Sequence, residues 1–343
     1  MKGDVPLLLD KYRSFLLELK KLYLNGKIQS DIVYQERLLG ALIDHYITCL
    51  DYYLSLIPEM KGPEKVFVIL PGNVPIVIFQ LLPGFIVSGV KEVYFKQPFI
   101  ERSLYNQVIP LANSFLKPHM NLRTSYLSHE ESLSVLKNYD FVVGYGGSLL
   151  GDFLNFTGKP YRFFGPKLSI GILKGAPTED VLKRIAFDNL AFDTRGCLSL
   201  RYLFTFDPIH IEEIFSAMEV VSKELPPQNN FDYSIAEYEV LKSSWKGERV
   251  VKGENFFIVY SDGVLEISAP RTLNIVRVES YKELESQLLK IKDYIQGIAT
   301  NGIYPEFTSA SYYALFGKLQ FTPCNWCFEK GVTWENFWEV NDV

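Results

Sequence analysis

The sequence predicts an α/β fold: a doubly wound, Rossmann-type parallel sheet preceded by helices and followed by a second, smaller α/β lobe. Three observations point there. From residue 66 onward, short β-branched and aromatic runs alternate with helix-spaced apolar runs, the grammar of βαβ units. The 343 residues suffice for about two domains. With 48% hydrophobic, 22% charged and 15% aromatic residues, the balance is that of a globular chain with aromatic-rich cores.

The elements follow in order. Residues 5–24 and 31–57 carry helix-spaced Leu, Ile and Tyr, so the chain opens with helices. Strands are expected at 66–70, 92–96, 123–127 and 140–146, with helices near 74–88, 101–116 and 130–138. A fifth strand, YRFFGPKLSIGIL, leads into a helix over about 178–194 that ends at Arg195-Gly196-Cys197. RYLFTF reads as a strand, 210–223 as a helix, KELPPQNNFDYS as a polar stretch, and GERVVKGENFFIVYSDGVLEIS as a hairpin-like pair. A strand and an amphipathic helix share IVRVESYKELESQLLKIKDYI, and an aromatic tail holds Trp326, Trp334 and Trp338.

Charge and cysteine content narrow the function. A net charge of −5 gives no basic footprint for nucleic acid. The four cysteines, Cys49, Cys197, Cys324 and Cys327, are too sparse for a disulfide framework and point to a reducing compartment. The N-terminus lacks the apolar core of a signal peptide, so a cytoplasmic protein is expected. Val66 to Val90 contains no charge and is long enough to cross a bilayer. Pro71, Pro75, Pro83 and Asn73 within it fit a buried strand and helix better.

Several motifs each admit two readings. Gly144-Tyr145-Gly146-Gly147-Ser148 follows a strand and opens a helix, where backbone N–H groups could hold a phosphate or simply make a tight turn. Cys324-Asn325-Trp326-Cys327 has the spacing of a metal or redox pair, but no second pair completes a zinc site; no metal is expected. Cys197 follows Gly196, which permits close backbone approach, and Arg195 beside it would favour a thiolate; a buried structural cysteine has the same signature. Asn73 is an amide in an uncharged run and needs partners, as a helix cap or toward a ligand.

Taken together, PGNVP, GYGGSLLG, FFGPKLSIGIL and FDTRGCLSL, in this order, resemble the fatty acyl-CoA reductases of bacterial bioluminescence operons (LuxC-like), a branch of the aldehyde dehydrogenase superfamily. The likeness is good over residues 65 to 205 and looser at 264 to 290 and 319 to 331. Spacing strengthens it: 23 residues from Asn73 to Lys96, 51 from Lys96 to Gly147 and 34 from Phe163 to Cys197, each close to the superfamily pattern. The resemblance implies an aldehyde dehydrogenase-like fold, with a helical N-terminus and cofactor domain over 1–172, a catalytic domain over 173–305 and a C-terminal return to the cofactor domain over 306–343.

The resemblance also implies roles. Cys197 would be the nucleophile that takes the acyl group from acyl-CoA, with the Asn73 amide and the Cys197 N–H as oxyanion donors. NADPH would be the cofactor, with Lys96 at its adenosine ribose or 2′-phosphate, Gly147 and Ser148 at its pyrophosphate, and Glu266 at its nicotinamide ribose; a surface position is the alternative for Glu266. Where hydrolytic relatives place the glutamate that activates water, this chain has Phe163, so reduction is favoured over hydrolysis. Gln is usual at Thr194 and Pro at Leu200, and Gln97-Pro98 replaces the common Pro-Ser. An acyl-protein synthetase partner and a homo-oligomer are implied, although the chain is shorter than typical members; peripheral membrane contact stays open. The rival readings are a non-catalytic acyl-binding or scaffold subunit and an aldehyde dehydrogenase working oxidatively.

Overall fold

The computed structural model describes residues 4–56, 61–229, 231–264, 269–302 and 310–339. The chain divides into two compact units, Met1–Pro166 with Val332–Val343, and Lys167–Gly331.

The first unit begins with α1 (Val5–Leu24), α2 (Glu36–Thr48) and α3 (Leu50–Ser55). The helix expected from residue 31 starts only at Glu36, because the preceding residues are bound elsewhere: Glu101 accepts the backbone N–H groups of Asp31 and Ile32, and Asp31 accepts those of Arg102 and Ser103. Next come β1 (Lys65–Ile69), α4 (Val77–Val87), β2 (Glu92–Lys96), α5 (Ser103–Leu116), β3 (Asn121–Ser125), α6 (His129–Leu136), β4 (Phe141–Tyr145), α7 (Ser148–Thr157) and β5 (Tyr161–Phe164). The sheet order is β3-β2-β1-β4-β5, with every pair parallel. The chain reverses direction across the sheet between β1 and β4, and such a switch point leaves a crevice at the carboxyl ends of the strands.

The uncharged run resolves into β1 and α4. Every residue of α4 is buried, which is why its sequence is apolar on all sides. Among the described residues no helix is long and apolar enough to cross a membrane.

The expected single strand YRFFGPKLSIGIL is two strands. β5 ends at Phe164 in the first sheet, and β6 (Leu168–Leu173) belongs to the second. Pro166 lies in the break, and proline has no N–H to continue a ladder. The second unit continues with α8 (Glu179–Leu190), β7 (Leu200–Thr205), α9 (Ile211–Glu224), α10 (Tyr233–Trp245), β8 (Arg249–Lys252), β9 (Phe257–Ser261), β10 (Thr272–Arg277), α11 (Tyr281–Leu289), β11 (Ile295–Thr300) and β12 (Tyr312–Leu315). Its sheet runs β12-β11-β6-β7-β10-β9-β8, parallel except for the β8–β9 hairpin. Ile170, Ile172, Tyr202, Phe204, Val276 and Ile298 form its main core with Leu284 and Leu288 of α11.

The residues after Gly331 return to the first unit. Trp334 is buried over Gly84 of α4, and the Arg162 guanidinium donates to the carbonyls of Asn336, Phe337 and Glu339. A Cβ on Gly84 would lie 2.2 Å from the Trp334 ring, so glycine is what lets the indole seat. Gly84→Ala is therefore expected to destabilise the protein by about 1–3 kcal/mol through overpacking, read as a lower midpoint in thermal denaturation.

Candidate active site

In the first unit the candidate site lies at the carboxyl ends of β1, β2 and β3. A cavity of about 390 Å³ is lined there by Ile69, Lys96, Tyr126 and Ser128, and by Leu149 and Leu150 of α7. Lys96 ends β2. Its ammonium lies 6.0 Å from the Tyr126 ring centroid, with no carboxylate within ion-pair distance among the described residues. Burial without a counter-charge pushes its pKa down, as expected for a desolvated cation. Such a group is placed to gain from an anion.

α7 supplies a second anion-seeking feature. Its N-cap, Gly147, is extended and offers no side chain to the first turn; the Leu150 N–H donates to the Gly147 carbonyl, and among the described residues no side chain caps the N–H groups of Ser148 and Leu149. The glycines of GYGG do different work. Cβ atoms at Gly144 and Gly146 would meet Leu154 and Leu150 at 2.8 Å and 2.9 Å, whereas one at Gly147 would meet nothing within 4 Å. The first two serve strand–helix packing, and Gly147 faces open space. A lone lysine beside an uncapped helix start in one cavity fits a nucleotide's phosphates.

A further cation, without a local sequence signature, meets the cavity wall through Tyr126. The Arg102 guanidinium lies 5.3 Å from the ring centroids of both Phe99 and Tyr126, and these rings meet edge-on at 6.0 Å. No carboxylate comes within ion-pair distance of Arg102 among the described residues. Gln97, where relatives differ, is buried and donates to Asn106 at 2.6 Å and Thr124 at 3.1 Å, tying β2 to α5 and β3. Asn73 lies in the turn after β1, partly buried. It does not cap α4, whose N-cap is Ile76. Phe163 lies on β5 and packs at the edge of the Phe67 and Val142 core. Glu266 falls outside the described residues.

In the second unit, Cys197 is partly exposed and carries a free thiol. The expected long helix before it stops at Leu190; residues 191–194 form a tight turn in which Phe192, Asp193 and Thr194 have φ of 50°, 54° and 62°. The turn is pinned on both sides of the cysteine. The Ser199 hydroxyl donates to the Ala191 carbonyl at 2.8 Å, and the Ser169 hydroxyl to the Cys197 carbonyl at 2.9 Å. The Asn189 amide donates to the carbonyls of Leu200 and Thr272 at 2.7 Å and 3.0 Å.

Burial pushes the Cys197 thiol up to about 11, opposed by its own N–H, the Arg201 charge, the Leu198 N–H and the Lys167 charge. Arg195, expected to favour the thiolate, is not among the main influences; the cation that acts is Arg201 on β7. The Arg201 Nε is buried without a hydrogen-bond acceptor among the described residues. Of the CxxC pair, Cys327 is buried and outside any disulfide whereas Cys324 is disulfide-bonded, so the two do not form a dithiol. Cys49 is not free either, which removes the cysteine count as an argument for a reducing compartment. Among the described residues no group of three or more His, Cys, Asp or Glu could hold a metal.

Solved structures with the same fold are aldehyde dehydrogenases. A putative methylmalonate-semialdehyde dehydrogenase from Sinorhizobium meliloti 1021, complexed with NAD, is 11% identical with a TM-score of 0.74, covering 99% of this chain and 84% of its own. The methylmalonate-semialdehyde dehydrogenase DddC from Oceanimonas doudoroffii is 12% identical, TM-score 0.72, with coverages of 98% and 81%. An NADP-dependent glyceraldehyde-3-phosphate dehydrogenase from Bacillus halodurans C-125, complexed with NADP, is 11% identical, TM-score 0.68, with coverages of 88% and 74%. No curated protein matches the sequence. The family model described as acyl-CoA reductase (LuxC) matches residues 51–311, more than half of the chain, and the protein therefore belongs to the LuxC acyl-CoA reductase family.

Proposed function

We propose that this protein reduces a long-chain acyl-CoA to the fatty aldehyde with NADPH, through an acyl thioester on Cys197. The observation that carries the reading is the placement of Cys197: a free, partly exposed thiol on a pinned turn, in a chain of an acyl-CoA reductase family. The Cys197 sulfur attacks the thioester carbonyl, the carbonyl π electrons move onto oxygen, and collapse expels the CoA thiolate to leave acyl-Cys197. Asn73 keeps the oxyanion role as part of the proposal, with the Cys197 N–H as the second donor. NADPH, when bound, would supply a hydride to the acyl carbon; the carbon–sulfur bond to Cys197 then breaks, which releases the aldehyde and returns the Cys197 thiolate for the next turnover. Phe163 cannot activate water, which favours reduction over hydrolysis.

Lys96 and the N–H groups at Gly147 and Ser148 would hold the nucleotide's phosphates. Arg102 supports NADPH over NADH, because a guanidinium at the start of α5, in the connection that follows the second strand, suits a 2′-phosphate. Acyl-CoA is the proposed substrate, an acyl-protein synthetase and a second copy of the chain are the proposed partners, and the cytoplasm is the proposed location.

The deciding experiment supplies a long-chain acyl-CoA and NADPH to the purified protein. Aldehyde and an acyl adduct on Cys197 by mass spectrometry are expected, and Cys197→Ala should abolish both. Aldehyde formation that survives in Cys197→Ala would overturn the mechanism, and free acid formed from aldehyde and NADP without CoA would favour the oxidative reading. Alkylation of Cys197 by iodoacetamide should quicken about tenfold per pH unit up to about 11, as thiolate forms. Removing the Arg201 charge (Arg201→Met) should move that profile to higher pH. Arg102→Ala should cut the preference for NADPH over NADH about tenfold, the loss of one charge-assisted contact, measured as the ratio of kcat/KM values.

A further inference from the structure

The turn before Cys197 adopts a backbone that its own residues disfavour. Three successive residues with Cβ atoms, Phe192, Asp193 and Thr194, are left-handed, although such residues visit this region singly and at a cost. Arg271, facing them, is left-handed as well at φ 52°, and all four are buried. The surroundings must therefore over-determine this geometry. The Thr194 hydroxyl donates to the Asn189 carbonyl at 2.8 Å, and one ion pair faces the turn from across the sheet: the Asp193 carboxylate accepts from Arg271 Nη1 at 2.8 Å and from the Gln228 N–H at 3.0 Å, with both charged side chains fully buried. The Arg271 N–H donates to the Asp193 carbonyl at 3.2 Å. The remaining guanidinium donors end on Asn255 and on the Leu225 carbonyl.

We infer that Arg271 and Asp193 are positioning residues for the nucleophile: their ion pair holds residues 192–194 left-handed and thereby sets where the Cys197 sulfur stands. The inference rests on the reading of Cys197 as nucleophile. Transmission is short. Arg195 donates its N–H to the Phe192 carbonyl at 3.0 Å, and Ser199 donates its N–H to the Gly196 carbonyl at 3.2 Å, so a shift at 192–194 carries through to Cys197. Neither charge of the pair is among those acting on the thiol, which makes the contribution geometric. An apolar pair could fill the same volume with equal stability, but it would not fix this backbone.

The test uses Arg271→Lys, which loses the fork of donors, and Asp193→Asn, which loses one of the two acceptors that Arg271 and Gln228 require. The full-length variants are assayed for acyl-CoA reduction with NADPH, and kcat is expressed per folded molecule, the folded fraction being read from near-ultraviolet circular dichroism against the parent. Expected in both is a fall in kcat of about 10–100-fold, the scale of a small misplacement of a reacting group, with KM for acyl-CoA within about twofold and the pH midpoint of alkylation unmoved. A kcat per folded molecule equal to the parent's would overturn the inference, whatever the thermal stability; should Arg271→Lys fail to fold, Asp193→Asn decides by the same criterion. Activity that survives Cys197→Ala would instead defeat the function proposed above. Loss of activity in Cys197→Ala with parental kcat in the other two would leave that function standing and defeat this inference alone.

Discussion

Taking an arginine and an aspartate fully out of water costs several kcal/mol per ion, and Arg271 and Asp193 recover that cost only because each donor and acceptor of the pair finds a partner. The arrangement ties together the starting ends of the interior strands β7, β10 and β9 of the second sheet. Arg271 stands at the start of β10, its carbonyl accepts the N–H of Phe257 at the start of β9, and Asp193 lies in the turn that leads to β7. The Asn189 amide, close by, bridges the first residues of β7 and β10. Strand register, turn geometry and the place of Cys197 are thus one mechanical problem. A buried ion pair is poor evidence of stability, yet it is an effective way to impose one backbone conformation where several apolar packings would serve.

The chain is net acidic, but the places where ligand chemistry is proposed are cationic. Among the described residues no carboxylate lies within ion-pair distance of Lys96 or Arg102 in the first unit, although the Arg102 charge acts on Asp31, and Arg201 in the second lies buried with no acceptor on its Nε. Unpaired cations are expensive inside a protein and gain when an anion arrives. Net charge averages over the surface and says little about such local fields.

Much of this could be read from the sequence, for identifiable reasons. The parallel strands of the first unit show because buried strands are short unbroken apolar runs, and the helix start at Ser148 shows because glycines cluster before it. α10 was not legible: Ala236 and Val240 face inward while Ile235, Tyr238 and Trp245 face outward, so no single apolar stripe marks a helix. The split between β5 and β6 was masked by apolar residues on both sides of Gly165-Pro166. Cys197 drew attention through Gly196, but Asp193 and Arg271 are 78 positions apart and no local pattern joins them. Arg102 escaped for a related reason, since its meaning comes from Tyr126, just past the end of β3.

The seating of Trp334 over Gly84 has a consequence for how the chain is made. The first sheet is complete in sequence by Phe164, yet α4 gains its cover from residues that leave the ribosome only after the whole second unit. At about 5–20 residues per second, that interval is on the order of ten to thirty seconds. During it, the indole slot on the apolar α4 stands open, and the nascent first unit presents the kind of surface that chaperones bind. Burial of Trp334 on α4 is therefore among the last steps in assembling the first unit's core.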